Sequence, residues 1–98
     1  MSPLTHALVT AAQLLDELGD ASRFCHVDAY DDGRAMVQLG GSGNGLAVLA
    51  ALADRFGAHI HRGVTFTAHD GATSREVSVT VVRDNVPVTF WTREQVPS

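Results

Sequence analysis

The sequence predicts an α+β fold of element order α-β-β-α-β-β-β: a five-stranded, mainly antiparallel sheet with two helices packed on one face. Three observations carry this. Residues 60–68, 77–82 and 86–93 alternate apolar with polar side chains, the period of a half-buried strand. Residues 3–18 and 46–56 instead repeat apolar residues at spacings of three and four, the period of an amphipathic helix. Turn-forming residues stand where the strands must reverse: Asp31-Asp32-Gly33, Asp70-Gly71-Ala72-Thr73 and Asp84-Asn85.

Ser2 is placed to cap the first helix, with Pro3 at its first position and Gly19 at its end. Its expected apolar stripe is Leu4, Leu8, Ala11, Leu15 and Leu18. In the hairpin that follows, a three-residue loop puts Gly33 where positive φ is needed. Tyr30 then pairs with Arg34, Ala29 with Ala35, Val27 with Val37 and Cys25 with Leu39. That register gathers the small and apolar residues on an inner face. Phe24, His26, Asp28, Tyr30, Arg34, Met36 and Gln38 fall on the outer one, and a one-residue slip would scramble both sets.

The second helix follows a glycine-rich run, carries Leu46, Leu49, Ala50, Ala53 and Phe56 as its stripe, and ends at Gly57. The Asp84-Asn85 turn pairs Val81 with Val88 and Val79 with Phe90 on the inner face. On the outer face it sets Ser78 against Trp91, and Glu76 against Arg93 as an opposite-charge pair. The turn around Asp70-Gly71-Ala72-Thr73 is expected to place Phe66 beside Val77 and Val64 beside Val79, with Thr65 facing outward.

Ninety-eight residues, 45% hydrophobic and 18% charged, are expected to form one domain. That size is near the lower end of what a core stabilises alone, so association with a second copy is anticipated. The net charge is −4, and residues 57–98 balance four acids with four arginines. No basic patch emerges, which argues against a nucleic-acid partner. There is no lysine, a bias expected of a GC-rich genome. The single Cys25 cannot form an internal disulfide, and no leader-like run or membrane-length apolar stretch is present. The expectation is a cytoplasmic protein that does not span a membrane.

Four constellations invite a chemical reading. Cys25 and His26 are adjacent, but neighbours on a strand point to opposite faces, so they form no catalytic dyad. Gly41-Ser42-Gly43 is too short for a serine-nucleophile elbow. With these set aside, no catalytic residue and no cofactor is expected. Ser42, Gly43 and Asn44 precede a helix, where anions bind, yet the run fits no nucleotide fingerprint; anion binding is one alternative. His59 and His61 share a strand face and the expected register adds Asp84, so a metal or small-ligand site is another.

The leading expectation is the outer face itself. It collects Trp91, Tyr30 and Met36, with Phe24 near one end, among hydroxyl and amide side chains. Aromatics and Met with few charges are the composition of an interface core. Trp91, Tyr30 and Met36 would be the anchors, and Glu76 with Arg93 the register-setting rim. The occupant would be a second copy of the chain, giving a homodimer, or a protein partner.

Residues 46–56 and the closing strand Val86-Pro87-Val88-Thr89-Phe90-Trp91-Thr92-Arg93 resemble small uncharacterised proteins of actinobacteria and their phages. The likeness covers the second half of the chain, implies no activity, and carries over no functional residue. The element order is also similar to roadblock-type dimerising domains, which add a terminal helix for which this chain, ending at Ser98, leaves no room. That likeness is one of topology.

Overall fold

The computed structural model describes residues 1–19, 26–40 and 44–96. Helix α1 spans Pro3–Leu18; the Ser2 hydroxyl accepts the Thr5 N–H at 3.1 Å, and Gly19 ends the helix at φ 61°. The buried side keeps the C-terminal part of the expected stripe, Ala11 buried with Leu15 and Leu18 packed against the core, and departs from it in the first two turns. Ala7, Thr10, Ala11 and Leu14 face the sheet, while Leu4 and Leu8 stay exposed. Both sets satisfy the same helical period, and the buried one puts two alanines against the strands, which lets the helix lie close. Thr10 keeps its buried hydroxyl satisfied by donating to the His6 carbonyl at 2.8 Å.

Strands β1 (His26–Ala29) and β2 (Ala35–Gln38) pair in the expected register, Val27 opposite Val37 and Ala29 opposite Ala35. The loop closes through the Tyr30 N–H to the Arg34 carbonyl at 2.9 Å, with Gly33 at φ 91°. Helix α2 (Asn44–Phe56) buries Val48, Leu49 and Leu52 and packs Ala53 and Phe56 against the core, so Leu49, Ala53 and Phe56 of the expected stripe hold while Leu46 and Ala50 are exposed. Gly45 has a steric reason. A Cβ there would stand 2.6 Å from the Thr92 hydroxyl, so the first turn of α2 can lie against the sheet only without a side chain.

Strands β3 (His61–Thr67), β4 (Thr73–Arg83) and β5 (Val86–Gln95) complete one sheet of order β1-β2-β5-β4-β3. The β2–β5 pair is parallel and the others antiparallel, so the sheet is mixed but mostly antiparallel. Helix α1 packs on β1, β2 and β5, and α2 on β5 and β4. Val37, Val77, Val79, Val88 and Phe90 meet Leu14, Leu49 and Leu52 in the core between them.

The β4–β5 hairpin has the expected register: Val79 faces Phe90, Ser78 faces Trp91 and Glu76 faces Arg93. Asp84 (φ 52°) and Asn85 (φ 65°) are both left-handed, as a turn twisted to match a two-residue hairpin requires. The β3–β4 pair corrects the expectation. Phe66 lies opposite Ser74 rather than Val77, Thr65 opposite Arg75 and His61 opposite Ser78. The loop is His69-Asp70-Gly71, closed by the Ala68 N–H to the Ala72 carbonyl at 2.8 Å, one position earlier than the expected turn. A bulge between Arg62 and Thr65 then shifts the pairing again. Side chains alternate faces, so this three-residue change for Phe66 carries it outward and turns Thr65 inward.

Candidate functional site: the uncovered sheet face

Both helices lie on the inner side, so the outer face of the sheet carries no covering element among the described residues. Trp91, Met36, Thr89 and Ser78 sit half-buried along its middle. Register places Met36 beside Thr89 and Trp91 between Gln38 and Ser78, so Met36 and Trp91 are diagonal neighbours. The Thr80 and Thr89 hydroxyls bond to each other at 2.9 Å, which spends their polarity within the face. Tyr30 belongs to the same side but closes the β1–β2 loop, roughly 16 Å from Trp91 by strand geometry. The Arg34 guanidinium stacks over its ring at 4.3 Å. The three expected anchors therefore form one pair and one outlier.

Glu76 and Arg93 face each other in the ladder as expected, but no ion pair joins them. The Arg93 guanidinium instead lies 4.8 Å from the centre of the Phe66 ring. Glu76 is exposed and lines a shallow concavity of about 310 Å³ with His61, Gly63, Val64, Phe66 and Ser78. The bulge makes this hollow. Two residues of β3, Gly63 and Val64, occupy the stretch opposite Glu76, and Gly63 has no side chain to fill it.

Phe66 is the functional candidate that sequence reasoning missed, because the expected register buried it. It is 42% exposed on the outer face, with Val64 at 90% on the edge strand and Val82 at 67% near the Asp84-Asn85 turn. A signal was present: His69-Asp70-Gly71 repeats the spacing of Asp31-Asp32-Gly33.

The metal trio is not brought together. His59 precedes β3, and His61 pairs opposite Ser78. Asp84 sits in the turn six residues beyond Ser78, about 20 Å along the strand. The described residues hold no cluster of three or more His, Cys, Asp or Glu able to bind a metal. The nearest thing to a polar dyad on this face is His26 Nε2 with Asp28 Oδ1 at 3.2 Å, both exposed on β1. Phe24, Cys25, Ser42 and Gly43 lie outside the described residues; Asn44 opens α2, and its side chain is likewise outside them.

Glu17, on the helix side of the molecule, has its ionisation perturbed by the fold. A hydrogen bond from Arg83, reinforced by the charges of Arg83 and Arg55, holds its carboxyl below the usual value, against partial desolvation. The same bond raises Arg83. Arg55 reaches Glu17 at 3.2 Å, so one carboxylate ties α1, α2 and the end of β4. Its place away from the outer face makes it a structural clamp.

Fold and face together define a small α+β domain whose sheet, among the described residues, is covered on one side only. No protein-family model, curated protein or solved structure matches the chain. Among the described residues, no helix is long and apolar enough to cross a membrane.

Proposed function

We propose that this chain is an interaction module with no reaction of its own, and that it works by associating with a second copy of itself through the outer sheet face. The observation that carries the reading is the pairing of an uncovered apolar middle with an unsatisfied rim. Met36 and Trp91 adjoin at the centre. Glu76 and Arg93 stand side by side, each without an ion-pair partner among the described residues. A second copy offers the complementary charge to both. Aromatic anchors beside Met, with the charge at the margin, match the anatomy of a docking surface.

The test is solution mass by size-exclusion chromatography with light scattering over a wide concentration range. The expected mass rises toward twice 10.4 kDa with concentration. Trp91→Ala should weaken association by about 30-fold, the ~2 kcal/mol of a buried aromatic anchor. Its circular dichroism should stay that of the parent, because Trp91 is outside the core. A constant monomer mass, or a Trp91→Ala chain that associates as before, would overturn the reading.

A further inference from the structure

We infer that the second copy sits face to face with the first, related by a two-fold axis that runs along the strands between β4 and β5. This rests on the outer face being the docking surface. An isologous contact pairs residue i with j and j with i. With the axis between β4 and β5, each register pair of that hairpin is laid on its own reversed copy: the β4 residue meets the β5 residue.

Five outward pairs lie along this axis, and the four from Glu76–Arg93 to Val82–Pro87 each complement their own reversal. Glu76 and Arg93 are register partners, so Glu76 meets Arg93 of the second copy, twice, and both unpaired charges are matched. Ser78 and Trp91 are partners, so the largest side chain of the face lies over one of its smallest. Thr80 and Thr89 meet as two hydroxyl pairs already bonded within each chain. Val82 and Pro87 bring apolar against apolar and cover the exposed Val82.

A fifth match follows from the neighbouring strands. β2 lies over β3 of the second copy. Gln38 is level with Trp91, and His61 with Ser78, so amide meets imidazole. An axis running across the strands lays β4 on β4 and β5 on β5, and Glu76 then never meets Arg93. Stacked sheets lie about 10 Å apart and cross at about 30°, so the match is tightest beside the axis. β4 and β5 are the strands that flank it. The product is a four-layer sandwich with the two helix layers outermost.

Charge reversal tests this arrangement. Glu76→Arg and Arg93→Glu each set like charges against each other and should weaken association at least about tenfold. The double variant restores opposite charges and should return association to near the parent level; circular dichroism of each single variant checks that it folds, since like charges also face each other within its own ladder. Ser78→Trp should dissociate the dimer by filling the place of the incoming Trp91. If either single reversal leaves the mass unchanged, or the double fails to recover, while Trp91→Ala still dissociates the chain, the axis is wrong and the docking face stands. If the parent chain is monomeric up to about 1 mM, where only very weak contacts are lost, both the axis and the self-association reading fall.

Discussion

Asp31-Asp32-Gly33 and His69-Asp70-Gly71 close their hairpins in the same way. In each, the residue before the loop bonds the one after it: Tyr30 to Arg34 at 2.9 Å and Ala68 to Ala72 at 2.8 Å. In each, the middle aspartate accepts the N–H two residues on, at 3.3 Å for Asp32 and 2.9 Å for Asp70. In each, the third residue is a left-handed glycine, Gly33 at 91° and Gly71 at 86°. Yet β1 and β2 lie under α1, whereas every residue of β3 except Gly63 is exposed. Equal turn chemistry thus sets register equally well in both places, and helix coverage decides what the paired strand does. Covered strands hold the fold together. The uncovered strand is a margin, and it carries the bulge, the hollow and the outward Phe66.

The sharpest way to break that contrast is to remove one phenylalanine from each region. Phe90 is fully buried at the centre of the core and Phe66 stands on the open face. Phe90→Ala should lose about 3–5 kcal/mol of unfolding free energy in urea, the transfer loss plus an unfilled cavity. Phe66→Ala should lose no more than about 1 kcal/mol, the loss of a cation–π contact with Arg93 and of partial burial. Comparable losses would mean that β3 belongs to the core.

The same contrast explains what was legible in the sequence. Where a strand has one face under a helix, the period-two pattern and the turn agree, and the β1–β2 and β4–β5 registers follow residue by residue. In β3, Val64 and Phe66 look like core residues by alternation, and that pattern favoured a register placing them beside valines. Among the described residues β3 is left exposed along almost its whole length, so little enforces the pattern, and the loop geometry of Asp70 and Gly71 prevails. The bulge at Gly63 and Val64 has no period of its own. The parallel pairing of β2 with β5 is likewise invisible to local pattern, since it joins segments some fifty residues apart. On the face, the level of Glu76 with Arg93 followed from register alone, whereas the adjacency of Trp91 and Met36 comes from the β2–β5 pairing and was not legible. Phe66 was lost with its register, and the absence of a Glu76–Arg93 ion pair depends on where Arg93 finds an aromatic ring.

A finer test compares the two loops directly. Gly33→Ala and Gly71→Ala each force a Cβ into a left-handed conformation, which should reduce stability by about 1–2 kcal/mol in both. Local space does not distinguish them: the nearest neighbour of a Cβ at Gly33 is Pro3 at 3.8 Å, and Gly71 is open. Urea unfolding reads the losses and amide exchange reads where the chain opens. Equal losses support one turn used twice. A smaller loss at Gly71, with faster exchange in His61–Thr67, would show β3 parting from the sheet on its own to relieve the strain.

The smallest effect concerns pH, and it belongs to the covered region alone. Glu17 is bonded by Arg83 at the end of β4 and by Arg55 of α2, and its carboxyl is held below its ordinary value of 4.5. A folded-state carboxyl that is depressed binds its proton less readily than the same group in the unfolded chain. The stability it contributes is therefore complete above about pH 4.5 and fades as pH falls through the lower folded value. Glu17→Gln keeps the shape of the side chain and removes the charge. The variant should be less stable than the parent at neutral pH, and its stability should fall less steeply below pH 4.5, so the two unfolding curves converge in acid. Amide exchange should show the loosening where α1 and α2 meet the end of β4 and not in β3, which takes no part in the clamp. Parallel curves for the two proteins down to acid pH would show that the Arg83 contact does not stabilise the ionised form, leaving apolar packing as what holds the helices to the sheet.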